Sequence, residues 1–182
     1  MKKVTIIVGH PLKESLSGTL AEAYKNGAKK SGKEVKIIYL GDLKFDPLLK
    51  NGYKQKQEWE TDLKKAVDDM LWADSWIFIY PIWWGIMPAL LKGFIDRTFV
   101  PGIMYKPPIK NKKVRVIATM DGPLFYHKLV VGSPDKRMMK KSVMMFCGIL
   151  NVKFNYFDFV KKANKEKIEK WKKKIENIAK KD

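Results

Sequence analysis

The sequence predicts an α/β domain in three layers: a five-stranded parallel sheet of order 2-1-3-4-5 with helices on both faces. Three observations carry that prediction. Short runs rich in β-branched and aromatic residues recur at Lys3–Gly9, Glu34–Leu40, Ser75–Tyr80, Lys113–Met120 and Asn151–Val160. Amphipathic stretches of helical period separate them, and such alternation implies right-handed strand–helix–strand crossovers. The first run, KVTIIVG, is nearly continuous in apolar residues, as a strand covered on both faces is.

The elements follow in order. A loop, HPLKESLSG, leaves the first strand at His10, and a helix is expected from about Thr19 to Lys30 with Ser17 as its N-cap and Ser31-Gly32 as its stop. The second strand leads into an irregular stretch, Gly41–Gln57, long enough to suggest a role beyond linking. Glu58–Trp72 is amphipathic through Trp59, Leu63, Ala66, Val67, Met70 and Leu71, and so reads as a second helix. The third strand, Ser75–Tyr80, breaks at Pro81 and passes through Ile82, Trp83, Trp84, Gly85, Ile86 and Met87. A helix then restarts at Pro88, whose missing N–H suits a first turn. Pro101-Gly102 ends it, Ile103–Lys112 is a loop, and the fourth strand runs to Met120. Asp121–Asp135 reads as a loop punctuated by Gly and Pro, and Lys136–Phe146 as a methionine-rich helix. Asn151–Val160 alternates apolar and polar residues like an edge strand. The final helix, about Ala163–Ala179, turns Ile168, Trp171, Ile175 and Ile178 toward the core. No repeat or linker interrupts residues 1–182, which read as a single domain.

Composition narrows the function classes. Hydrophobic residues make up 46 % of 182, enough for a sizeable core. The uncharged run Ser75–Leu91 is broken by Pro81, Gly85 and Pro88, which argues against a transmembrane helix, and the five residues Val4–Val8 between Lys3 and Gly9 are too few for a signal peptide's apolar core. The single cysteine, Cys147, lies in an apolar segment, forbids an internal disulfide and fits a reducing cytoplasm. Two histidines, His10 and His127, with that one cysteine make no metal site. The net charge of +18 comes from lysines spread through every helix and loop, so solvated faces are favoured over specific nucleic-acid binding, and peripheral contact with an anionic membrane is not favoured.

In the predicted topology the loops after strands one and three meet at the switch point, where open α/β sheets bind ligands, and the loop after strand four faces them. The first loop offers His10, the hydroxyls of Ser15, Ser17 and Thr19, and free N–H groups at a helix start, together suited to a phosphate. It lacks a G-x-G-x-x-G, and no G-x-x-x-x-G-K-[ST] occurs. The second loop sets two adjacent tryptophans between prolines, a wall for a flat aromatic ring, with N–H groups around Gly85 at that ring's polar edge. Phosphate at one loop and a flat ring at the next is the outline of a flavin mononucleotide.

The motifs GHP…S-x-S, P-I-W-W-G-x-M-P-A-L-L-K-G-F-I-D-R, the P-G turn and T-x-x-G-P-x-x-Y closely resemble the NAD(P)H:quinone oxidoreductases of the flavodoxin-like fold, over roughly Val4–Leu150. That family includes the modulator-of-drug-activity reductases and the ancillary reductases of potassium efflux systems. The resemblance implies a cytoplasmic flavoprotein oxidoreductase that passes a hydride from NAD(P)H through FMN, or alternatively FAD, to a quinone or similar aromatic acceptor by a ping-pong scheme. It implies that His10, Ser15, Leu16 and Ser17 hold flavin phosphate, that Pro81, Ile82, Trp83, Trp84 and Gly85 hold the ring, and that Thr119, Asp121 and Gly122 lie along its pyrimidine edge. Tyr126 would be the catalytic hydroxyl, and the partner a second copy in a homodimer whose interface contains the site. Two departures stand out. Many relatives carry two threonines and two glycines where this chain has Ala118-Thr119-Met120-Asp121-Gly122, and some carry a histidine where Gly132 stands, a place His127 would have to fill. The other readings are a flavodoxin-type electron carrier, at odds with the basic charge, and a flavin-binding regulatory subunit of an ion-efflux system.

Overall fold

The computed structural model describes residues 1–52, 54–104 and 107–182. Five strands, β1 (Lys3–Val8), β2 (Glu34–Tyr39), β3 (Ser75–Pro81), β4 (Lys113–Thr119) and β5 (Val152–Phe157), form one sheet in the expected order 2-1-3-4-5, with every neighbouring pair parallel. One layer holds α1 (Leu16–Lys30). The other holds α2 (Thr61–Trp72) and α3 (Ala89–Thr98). After β4 come α4 (Leu124–Leu129) and α5 (Pro134–Arg137), the latter running on into wider i→i+5 turns over Met138–Met144. The last helix, α6 (Lys165–Lys181), returns beside α1.

Side chains alternate across the sheet and give each face its own core. Val4, Ile6, Val8, Ile77, Ile79, Ile117 and Phe157 pack on α1 and α6, including Leu20, Tyr24 and Ile175. Ile7, Phe78, Tyr80, Val114, Val116 and Ala118 pack on Leu63, Met70, Leu91, Phe94, Met139 and Met144 of the opposite layer. Gly27 lets α1 meet α6 backbone to backbone: a Cβ there would stand 2.4 Å from the Glu176 carbonyl oxygen. Trp171 belongs to the core face of α6, its ring 5.2 Å from that of Phe157. Cys147 is buried as expected, and burial pushes its thiol up to about 11.

Several expected boundaries shift, each for a local reason. The N-cap of α1 is Ser15 rather than Ser17, because the Ser15 side chain accepts the Gly18 N–H at 3.2 Å and the helix closes three residues earlier. Trp59 stays outside α2, its indole N–H held by the Arg97 carbonyl at 2.7 Å. Pro81 extends β3 by pairing with Thr119, and Pro88 serves as the cap of α3 rather than inside its first turn. The stretch 121–135 is not a plain loop but carries α4. In the irregular 41–57 stretch Tyr53, and in the 103–112 loop Tyr105 and Lys106, lie outside the described residues. Among the described residues no helix is long and apolar enough to cross a membrane.

Candidate active site

All three chemically rich loops emerge at the carboxyl edge of the sheet. The first leaves β1 at Gly9, where the chain passes close to α3: a Cβ there would stand 2.8 Å from a Leu91 methyl and 3.1 Å from the Tyr80 Cβ. His10 follows. Its Nδ1 lies 2.9 Å from the Leu12 amide nitrogen and 3.0 Å from the Leu12 carbonyl oxygen, and Nε2 has no hydrogen-bond partner among the described residues. The loop then folds under α1 so closely that a Cβ on Gly18 would meet the Lys13 carbonyl oxygen at 2.0 Å. At the helix start, Ser15 uses its side-chain oxygen to accept from Gly18 and its carbonyl to accept from Thr19. The N–H groups of Leu16 and Ser17 have no partner among the described residues, while the Ser17 side chain is buried. Positive helix-end potential and unpaired donors therefore coincide there.

The second loop is a two-residue hairpin. Trp83 and Ile86 exchange both backbone bonds, at 2.9 and 3.2 Å. Trp84 and Gly85 between them both take positive φ, +50° and +86°, the signature of a type I′ turn. Gly85 suits that backbone, whereas Trp84 is strained in it. The hairpin is braced below by buried Met87 and tied sideways by the Ile82 N–H donating to Thr119 at 2.7 Å. The indole of Trp84 is fully exposed, and the N–H groups of Trp84 and Gly85 are unpartnered among the described residues. Trp83 leans back, its ring 5.6 Å from His10 at 70°, so the first and second loops touch through an edge-to-face pair.

The third loop starts where the buried Thr119 ends β4. Asp121 is committed elsewhere: its carboxylate accepts the Lys161 N–H at 3.0 Å and lies 3.3 Å from the Lys161 ammonium, and these contacts hold it below the usual carboxylate range. Its charge is thus answered by lysine. A Cβ on Gly122 would meet nothing within 4 Å, so that backbone borders open space. Phe125 and Tyr126 then project from α4 into solvent, and the Tyr126 hydroxyl has no partner among the described residues. His127 does not join Tyr126 as a relay. It is buried and turned inward, its Nε2 2.6 Å from Asp135, because a helix sets neighbouring residues about 100° apart.

Sequence reasoning missed what lies behind His127. Asp135 is fully buried and also accepts the Tyr156 hydroxyl at 3.0 Å. The hydroxyl of Tyr80, equally buried, is unpartnered among the described residues. Only the Ser133-Pro134-Asp135 string marks a helix start in the sequence, and nothing in it announces a carboxylate in the core.

Comparison with known proteins agrees with this architecture. The profile of a family described by the flavodoxin-like fold matches residues 2–179, and the chain belongs to that family. The chain is 27 % identical over 164 residues to an uncharacterized NAD(P)H oxidoreductase of Haemophilus influenzae, a match spanning 84 % of this chain and 81 % of the relative. It is 26 % identical over 217 residues to NAD(P)H dehydrogenase [quinone] 1 of Cavia porcellus, spanning 98 % and 78 %. An FMN-dependent NADH:quinone oxidoreductase of Macrococcus caseolyticus shares 28 % over 127 residues, covering 59 % of this chain and 55 % of the relative. The solved structure of Smu.1420 from Streptococcus mutans superimposes with a TM-score of 0.82 at 28 % identity, covering 99 % of this chain and 100 % of that one.

Proposed function

We propose that the chain is an FMN-dependent NAD(P)H oxidoreductase that delivers reducing equivalents to a quinone or similar aromatic acceptor by a ping-pong scheme. One observation carries this reading. The His10–Trp83 contact joins a loop of unpaired donors at a helix start to a hairpin that exposes an indole and two free N–H groups. A phosphate and a flat polar-edged ring need those two halves, at that adjacency. The names of the similar NAD(P)H and FMN-dependent quinone oxidoreductases support the same reading.

The residues present fit FMN. His10 through Nε2, the Ser15 hydroxyl, and the N–H groups of Leu16 and Ser17 would hold its phosphate; Ser17 takes part through its backbone, since its side chain is buried. Pro81, Ile82, Trp83, Trp84 and Gly85 would hold the ring, and Thr119, Asp121 and Gly122 would border its pyrimidine edge, Asp121 through its backbone because Lys161 occupies the carboxylate. When bound, FMN supplies the hydride chemistry. The protein's own part is to orient and to exclude water. Trp84, Phe125 and Tyr126, all exposed, would wall one slot over the ring that donor and acceptor use in turn. The Tyr126 hydroxyl, without a partner among the described residues, would donate where negative charge develops. Exposed Trp84, Phe125, Leu129 and Val130 make an apolar rim that a second copy of the chain would cover in a homodimer.

The test is reconstitution of purified protein with FMN and with FAD, followed by anaerobic NADPH. Micromolar FMN affinity and bleaching of the flavin absorbance without a second protein are expected. No binding of either flavin refutes the reading, and binding without bleaching points to an electron carrier.

A further inference from the structure

We propose that Asp135 is a positioning residue for the slot: through His127 and Tyr156 it sets the rotation of α4 and so aims Phe125 and Tyr126. This deepens the reading of that slot and rests on it for its kinetic part alone.

The argument starts from how little else holds α4. It is six residues long and has no side-chain N-cap, and a helix that short does not persist by itself in water. Its entry is tied by the Leu124 N–H to the Asp158 carboxylate at 3.1 Å. Its exit depends on His127. The His127 carbonyl accepts the Ser133 N–H at 2.9 Å, closing a reversal in which Gly132 and Ser133 both adopt positive φ, +78° and +50°. The His127 ring is the inward anchor, and it is the ring that Asp135 grips. Phe125 and Tyr126, displaced around the helix from that anchor, are therefore oriented by it.

The buried carboxylate is well suited to this task. Asp135 lies in the first turn of α5, behind Pro134, where the helix end favours negative charge. Each of its oxygens accepts from a different element, one from His127 on α4 and the other from Tyr156 on β5. The His127 and Tyr156 rings also lie 5.9 Å apart, so the two donors pack on one another. Withdrawing the carboxylate would leave the buried His127 ring and the half-buried Tyr156 hydroxyl unpaired and free α4 to roll. The same chain segment, at Val131 and Pro134, lies nearest to Gly85 of the hairpin, so a rolled α4 would change the slot from its open side while the phosphate loop stayed in place.

The experiment compares Asp135→Ala, His127→Phe and Tyr156→Phe with the rescue variant Asp135→Asn, whose amide can donate to His127 Nε2 and accept from Tyr156. Hydrogen exchange on the flavin-free chain is read first. In Asp135→Ala and His127→Phe, amides of residues 127–133 should exchange about ten-fold faster or more, with Tyr156→Phe smaller, while β1, β3 and β4 keep parental rates. Asp135→Asn should return exchange to within about three-fold of the parent. If Asp135→Ala does not fold, His127→Phe carries the same comparison. In the flavin-loaded protein, the KM for a small benzoquinone should rise about ten-fold in the broken variants, with FMN affinity within about three-fold. Unchanged exchange at 127–133, acceleration spread evenly over the sheet, or local acceleration with an unchanged KM each overturns the proposal. A parent that binds no flavin defeats the proposed function instead, and exchange still decides whether Asp135 holds α4.

Discussion

Trp84→Asn should move folding and ligand binding apart. Trp84 sits at φ +50° in a type I′ turn, with Gly85 after it. A left-handed backbone costs a β-carbon-bearing residue roughly 1–2 kcal/mol, whereas Asn tolerates it and Asn-Gly is the pair such turns prefer. At 103 % relative exposure the indole gives up no packing when removed. The flavin-free variant should therefore match the parent or gain up to about 1 kcal/mol, a rise of a few degrees at most in Tm for a chain of this size. Binding should go the other way. Stacking of a base on an aromatic side chain is worth about 1–3 kcal/mol, and a flavin ring offers a comparable face, so FMN affinity should fall about 5- to 150-fold. Urea unfolding of the flavin-free protein gives the first quantity, and quenching of flavin fluorescence on titration gives the second. A stability loss above about 1 kcal/mol would show that Trp84 packs on the fold. An FMN Kd within two-fold of the parent would remove it from the ring site.

Trp171→Ala provides the contrast: its ring packs on Phe157, so about 2–4 kcal/mol of stability should be lost while FMN affinity is unchanged, as thermal unfolding and the same titration would show. Tyr126→Phe should retain FMN and slow hydride transfer or quinone reduction by less than the roughly 10²–10³-fold of a central oxyanion donor; stopped-flow rates equal to the parent in both half-reactions would leave Tyr126 as wall only. Asp182 tests the foot of the sheet. Burial alone would raise its carboxyl, but the hydrogen bonds and charge of Arg115, aided by the Tyr24 hydroxyl, hold it below the ordinary value. A folded value below the unfolded one means stability that is present above about pH 4 and lost as pH falls through the folded value. Asp182→Asn should cost on the order of 1–3 kcal/mol at pH 7 and flatten the acid limb of the stability profile, whereas an unchanged acid limb would place the proton-linked step elsewhere.

The sheet was legible because parallel strands covered on both sides announce themselves as apolar runs, and because β1 and β3 admit little else. The meeting of the loops at its carboxyl edge was legible too, because the strand order alone sets the ends of β1 and β3 side by side, and His10 and Trp83 touch there. Their conformations were less so. Choosing Ser17 over Ser15 as the cap of α1 failed because several hydroxyls compete at that start, and the winner depends on Lys13 passing beneath Gly18. The short α4 leaves no helical signature in the sequence because six residues carry too little periodicity and are held by contacts distant in sequence, Asp135 and Asp158.

What the sequence by itself determined is therefore what repeats or concentrates locally: the strand and helix order, the two core faces, and the residue types at the switch point. Only the tertiary structure decided which side chains those residues meet. It turned His127 away from Tyr126 and onto Asp135, engaged Asp121 with Lys161, and left Trp84 standing alone in solvent. The physical reason is range. Hydrophobic periodicity is written into neighbouring residues, whereas the partner of a buried carboxylate is set by the packing of helices and strands that the chain brings together from far apart.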